Sequence, residues 1–240
     1  IDDMAVFDNE KAKEQIFYIS DDCYFPTNYT ALDMAAFYQL HYPKFEKQRF
    51  AKLMNQFQLD ERRKVGSFSK GMKKQLMVLL GISAGTKYLL CDETFDGLDP
   101  VMRQAVKSLF VSEIMNRDFT PVIASHNMRE LEDVCDHVGL LHKGGILLSR
   151  ELEDMKFHIH KIQCVLKEGM TADDLKGLQI LSQEGRGRLL TLTVRGTKQE
   201  AEDIMNRYEP VFFECIPLSL EEIFISETEV AGYDIRKLIF

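Results

Sequence analysis

Two adjacent carboxylates, Asp92 and Glu93, close the apolar run 87–91 (KYLLC). A buried strand ending in acids sets them at the carboxyl edge of a sheet, where α/β proteins place their chemistry. Successive side chains diverge at that edge. One acid can serve a hydrated Mg²⁺ ion while the other orients or deprotonates a water. Alone, the pattern equally describes a strand ending in solvated acids. Asp96-Gly97-Leu98-Asp99-Pro100 follows, a tight turn with an acid at each end. The next predicted strand, 121–125 (PVIAS), leads directly into His126, within reach of a phosphate held near Glu93. Upstream, Ser69 and Gly71 stand at the start of a helix predicted over 71–84. Backbone N–H groups at a helix start bind anions, and a Ser hydroxyl and Lys70 add donors. The structural alternative is an N-capping serine beside a basic surface turn.

Alternating elements must position these groups. Residues 15–19 (QIFYI) read as a strand, and 30–59 as helical, with Leu32, Ala35, Ala36 and Leu40 on one stripe. Phe50, Leu53, Met54 and Phe57 form a second stripe. A helix is predicted over 101–117, with Met102, Ala105, Val106, Leu109 and Phe110 inward, then a short one over 128–134. Residues 137–148 read as a hairpin turned at Gly144-Gly145. Strand and helix thus alternate over 15–148, which predicts an α/β fold with a parallel sheet. Beyond residue 155 the style changes. Strand-like runs at 159–166, 188–195 and 211–216, with a further strand and Gly-rich turn near 176–188, surround a helix at 198–208. That predicts a small α+β unit of split βαβ type. The expected boundary lies at 154/155.

The chain has 240 residues, 38 acidic and 30 basic, for a net charge of −8. Hydrophobic residues make up 45% and charged residues 28%, which excludes wholesale disorder. The acidic balance argues against general nucleic-acid binding, which needs a basic face. Leu76–Gly85, the longest nearly apolar stretch, is far short of the about 20 residues of a spanning helix. The acidic start has no signal-peptide pattern. Five scattered cysteines without a C-x-x-C read as reduced thiols.

Taken together, the segments resemble the ATP-binding subunit of ATP-binding-cassette (ABC) transporters, over roughly residues 1–150. FSKGM at 68–72 resembles the family signature, usually LSGGQ: Ser69 and Gly71 match, whereas Phe68, Lys70 and Met72 depart. YLLCDE at 88–93 resembles the Walker B strand with its catalytic glutamate, and GLDP at 97–100 the D-loop. His126 stands at the switch-histidine position. IFYISD at 16–21 resembles the strand into the Q-loop, with Asp21 where glutamine is usual. The resemblance implies a P-loop NTPase-like parallel sheet with a helical insertion at about 24–84. It implies ATP and Mg²⁺, with Asp92 and Asp21 at the metal and Glu93 and His126 at the reacting phosphate. Ser69, Lys70 and Gly71 would face ATP on a second subunit, and Asp99 would couple the two sites.

It further implies an ATPase working as a homo- or heterodimer beneath a separate permease, at the cytoplasmic face of a membrane, with no nucleic acid as partner. The ending PLSLEEIFI at 217–225 is similar to exporter-type members, with Ser219 and Glu222 as a capping box. The family's P-loop, G-x-x-x-x-G-K-[ST], does not occur in these residues. The expectation is therefore a truncated nucleotide-binding domain over 1–154, not ATPase-competent alone, with an accessory domain and tail over 155–240. Two other readings stay open. One is a non-hydrolytic partner lending its signature turn to another subunit. The other is a soluble ABC-type ATPase acting on nucleic acid or ribosomes.

Three lesser features remain. Arg62, Arg63, Lys64, Lys70, Lys73 and Lys74 form a basic cluster, read as a solvated, phosphate-facing helix start. His158 and His160 are read as surface residues. Tyr24, Phe25, Tyr29, Phe37, Tyr38 and Tyr42 are read mostly as core, with an exposed few at a permease contact.

Overall fold

A computed structural model describes residues 1–142 and 144–230. Chain contacts divide it into two compact units, Ile1–His126 and Asn127–Phe240.

The first unit runs α1 (Glu10–Lys13), β1 (Ile16–Ile19), α2 (Ala31–His41), α3 (Lys47–Gln56), a 3₁₀ turn (Val65–Ser67), α4 (Lys70–Ser83), β2 (Tyr88–Asp92), α5 (Pro100–Asn116) and β3 (Thr120–Ala124). The three strands form a parallel sheet in the order β1-β2-β3. Phe17, Ile19, Leu89 and Cys91 point into one core, while Tyr18 and Val122 remain half exposed. The β2 run is continuous in hydrophobicity, yet the structure buries mainly one of its faces. Helix α4 is apolar on every side from Leu76 onward and is buried accordingly. Gly81 allows it to lie close on the sheet: a Cβ there would fall 2.7 Å from Leu89 Cδ1. Each large side chain in this core contributes about 1.5–3 kcal/mol through burial. The helical segment 24–84 shares that core, with Met34, Phe50, Met54 and Leu79 in one cluster with Phe17 and Leu89. Of the aromatic set, Tyr38 and Tyr42 pack on Phe17 at ring distances of 4.9 and 5.4 Å. Tyr24, Phe37 and Leu40 are exposed.

The second unit begins with α6 (Met128–Glu132) and an antiparallel hairpin of β4 (His137–His142) and β5 (Gly145–Glu151). There follow α7 (Leu152–His158), β6 (Ile159–Val165), a 3₁₀ turn (Ala172–Asp174), β7 (Gln179–Arg186), β8 (Leu189–Arg195), α8 (Lys198–Tyr208), β9 (Phe212–Pro217) and α9 (Leu220–Val230). The sheet order is β7-β8-β6-β9, antiparallel throughout. This is the expected split βαβ pattern, with the first crossover helix reduced to a 3₁₀ turn. Ile162, Cys164, Leu192 and Val194 face Ala201 and Met205 of α8 in one core cluster.

The division between the units differs from the expected 154/155 boundary. That position falls inside α7, whose Leu152 and Met155 are buried with Val138, Leu220 and Phe224. The hairpin and α7 share one apolar cluster with α9, so they fold with the second unit. The C-terminal end of the tail expected within 155–240, residues 231–240, lies outside the described residues. Among the described residues no helix is long and apolar enough to cross a membrane.

Candidate functional site

The parallel register brings the ends of β2 and β3 side by side, with Asp92 opposite Ala124. Glu93 leaves the strand with φ 45°, a left-handed conformation uncommon for a residue with a side chain. Hydrogen bonds to its backbone and its side chain hold it there. Its N–H donates to Ala124 O at 2.9 Å, and its carbonyl accepts from Asp96 N at 3.1 Å. Its carboxylate oxygen Oε1 accepts the backbone N–H of His126 at 3.0 Å. His126 Nδ1 lies 2.9 Å from the same oxygen, and Ser125 Oγ donates to Oε2 at 3.3 Å. The turn geometry therefore aims the acid at the end of β3. The His126 side chain is 82% exposed and the Glu93 side chain 25%, so the pair opens to solvent. A carboxylate with an imidazole beside it can orient a water and pass its proton.

Asp92 turns the other way. Tyr18 on β1 donates its phenol to Asp92 Oδ2 at 3.1 Å. That bond to a carboxylate raises the Tyr18 pKa above its ordinary value.

The start of α4 packs against the loop after β2. Ser69 is the N-cap of α4 and accepts Met72 N at 3.2 Å. Gly71 meets that loop so closely that a Cβ would lie 2.8 Å from Gly97 O. The glycine is thus needed for the approach of two backbones, independently of any ligand. Lys70 Nζ pairs with Asp96 Oδ2 at 2.7 Å across the same turn. Hydrogen bonding and charge raise the Lys70 pKa and lower that of Asp96. Asp99 caps α5, accepting Val101 N and Met102 N at 2.9 Å each, with Pro100 as the first helical residue.

Asp21, expected at a metal, lies in the loop after β1, where its Oδ1 accepts from Lys74 Nζ at 3.1 Å. Lys74 itself is 1% exposed, so it is not the solvated helix-start residue the basic cluster suggested. A lysine is buried only where oxygens replace its water. The rest of the cluster is also partly engaged. Arg63 bonds Ser67 and stacks over Phe68, and Lys64 donates to Asn28.

The structure therefore brings Asp92, Glu93, Asp21 and His126 to the carboxyl edge of the sheet. It joins Ser69, Lys70 and Gly71 to the turn that leads to Asp99. Sequence reasoning missed Lys74, Tyr18 and Asp96. The signal for Lys74 was its place at the mouth of the apolar run Leu76–Leu80, on a helix with no polar face to carry it. His158 and His160 each contact a backbone carbonyl, of Asp154 and Phe157 respectively. Among the described residues no group of three or more His, Cys, Asp or Glu has metal-holding geometry. A Mg²⁺ ion held by one carboxylate, waters and phosphate oxygens needs no such group. Asp92 fits that mode. Asp21, already ion-paired, fits it poorly.

No protein-family model matches the chain. It is 28% identical over 227 residues to the ABC transporter ATP-binding protein YtrB of Bacillus subtilis, covering 94% of this chain and 77% of that one. It is 32% identical over 127 residues to the bacitracin transport ATP-binding protein BcrA of Bacillus licheniformis, covering 52% of this chain and 40% of that protein. In fold it resembles a solved ATP-binding subunit of an ABC transporter, with a TM-score of 0.54 and 23% identity over 61% of this chain and 63% of that one. Relatives and fold point the same way: the chain is similar in sequence to ATP-binding proteins of ABC transporters, and its fold resembles that of a solved ATP-binding subunit of such a transporter.

Proposed function

We propose that this chain is the catalytic back part of a subunit that hydrolyses ATP to drive an ABC exporter. The observation that carries the reading is the Glu93 carboxylate, held in a left-handed turn against His126 N and Nδ1. Glu93 orients and deprotonates the attacking water, and His126 contacts the γ-phosphate. Asp92 would hold Mg²⁺, which when bound would supply positive charge near the phosphate oxygens. Ser69, Lys70 and Gly71 serve the ATP of a second such subunit, homo- or heteromeric. Lys70 must exchange Asp96 for a phosphate to do so. Asp99 couples the two sites, and the exposed Tyr24, Phe37 and Leu40 meet a permease. Work then takes place at the inner face of a membrane, without nucleic acid. The 240 residues carry no P-loop, so the reading assigns the β- and γ-phosphate cradle to residues outside them and gives this chain alone no ATPase activity. The transport role rests on relatives such as the bacitracin and lantibiotic transport ATP-binding proteins.

The test is Glu93→Gln in the full-length subunit. Hydrolysis falls by about 100-fold or more, the span that positioned acid–base groups supply, while ATP stays bound and holds the dimer on a sizing column. Hydrolysis at the parent rate overturns the assignment. A full-length protein that binds no ATP itself, yet activates a complete partner, establishes the non-hydrolytic module instead.

A further inference from the structure

A buried cation sits where the sequence promised only acids. Lys74 Nζ lies 3.1 Å from Asp21 Oδ1, 3.1 Å from Glu93 O, 3.4 Å from Asp92 O and 3.5 Å from Ser20 O. An ammonium has three protons, so the two short bonds and the longer carbonyl contacts use its full donor capacity. Those oxygens come from two separate segments, the loop after β1 and the end of β2. The lysine comes from a third, the α4 helix that Ser69 caps. One side chain therefore ties together the three segments that bear the candidate site.

We propose that Lys74 is the positioning residue of this corner. It pins the Glu93 carbonyl, so that the carboxylate stays aimed at His126, and holds Asp21 as its counter-ion rather than leaving it to a metal. The inference rests on the ATPase reading of Glu93 and deepens it. Two physical points support it. Glu93 occupies an unfavourable backbone region, which persists only where surrounding bonds over-determine it, and Lys74 supplies one of those bonds. The Asp21 side chain is 49% exposed, yet the lysine it meets is 1% exposed, so the buried partner fixes the exposed one. Asp21 is also the position where the family resemblance expects an uncharged glutamine, and a buried ammonium alongside gives a carboxylate there a reason.

Three variants test it: Lys74→Met, Lys74→Arg and Asp21→Asn. In the full-length protein, Lys74→Met lowers kcat for ATP hydrolysis by about 10–100-fold, as small displacements of a catalytic group do, with KM changed less than about threefold. Lys74→Arg restores most of the loss, because its guanidinium keeps donors for the carboxylate. Asp21→Asn lowers kcat and adds nothing to Lys74→Met, since neighbours in one network are not additive. The Mg²⁺ concentration for half-maximal rate moves less than about threefold in Asp21→Asn. A shift of about tenfold or more, with Lys74→Met at the parent kcat, makes Asp21 a metal ligand and overturns the proposal.

Melting of the 240-residue chain, with neither ATP nor metal, gives a second readout. Lys74→Met and Asp21→Asn each lower Tm, and the double variant melts with Lys74→Met. Additive shifts overturn the pairing. If Lys74→Met does not fold, Asp21→Asn carries the test alone: a lowered kcat and Tm with an unmoved Mg²⁺ dependence supports the pair, and parent-like kcat and Tm overturn it. An inactive parent, or an unaffected Glu93→Gln, refutes the ATPase reading instead, while the melting cycle still judges the Lys74–Asp21 pair.

Discussion

The corner around Glu93 and the last helices of the second unit solve their local problems in different ways. In the second unit α8 and α9 begin by rule: Thr197 caps α8 with Glu200 returning to its backbone, and Ser219 and Glu222 do the same for α9. Among its described residues the one left-handed non-glycine, Glu209, ends α8 in the position helices commonly use for that conformation. In the first unit the rules are broken within a few residues of one another. Glu93 is left-handed at the end of a strand, Lys74 is buried, and Gly71 meets a backbone oxygen at less than a normal Cβ contact. Thr94 is fully buried, and its hydroxyl has no hydrogen-bond partner among the described residues. The corner around Glu93 thus combines a left-handed residue, a buried lysine, a close backbone approach and an unsatisfied hydroxyl, whereas α8 and α9 begin on ordinary capping boxes.

This contrast between strained and relaxed regions can be broken at three further points. The largest effect belongs to Gly71→Ala. Its methyl must displace Gly97 O from 2.8 Å, and overpacking of this kind costs about 1–3 kcal/mol. At about 2–4 °C per kcal/mol for a chain of this size, melting falls by about 2–12 °C. A Gly71→Ala protein that melts with the parent removes the close approach from the account.

Thr94→Val has a smaller effect of opposite sign. It replaces an unsatisfied hydroxyl with a methyl of similar shape and stabilises by about 1 kcal/mol, seen as a Tm rise of about 2–4 °C. A fall in Tm means the hydroxyl is satisfied after all.

The smallest effect lies in the second unit and depends on pH. Bonds from the Thr197 backbone N–H and then its hydroxyl lower the Glu200 pKa from 4.5. A depressed carboxyl stabilises the fold above the unfolded value and loses that stabilisation as pH falls through the folded one. Hydrogen exchange of the α8 amides therefore accelerates as pH drops below 4.5, after correction for the intrinsic rate. Glu200→Gln lowers protection at neutral pH and flattens that dependence. Equal slopes in both proteins leave the capping box with no part in acid stability.

The fold was legible where one residue type served both local preference and burial. The helix predicted at 198–208 occurs with those bounds, and the strand at 121–125 is displaced by one residue. The boundary at 154/155 was misplaced because α7 alternates charge with Leu152 and Met155, and nothing local says which core those two enter. In the site, Asp92, Glu93 and His126 could be read from strand ends alone. Lys74 could not, because a lysine in a sequence reads as solvated until its oxygens are found.

By itself the sequence determined the element types, the acidic strand edge, the glycine at 71 and the capping serine at 69. All follow from spacing and from conformations only a few residues adopt. Tertiary structure alone decided that Glu93 faces His126 while Asp92 faces Tyr18, and that Lys70 is held by Asp96. It also decided that a buried ammonium links Asp21 to the end of β2. Those outcomes depend on which segments meet. Local sequence carries no information about a hydrogen bond whose partners stand 53 or 74 residues apart.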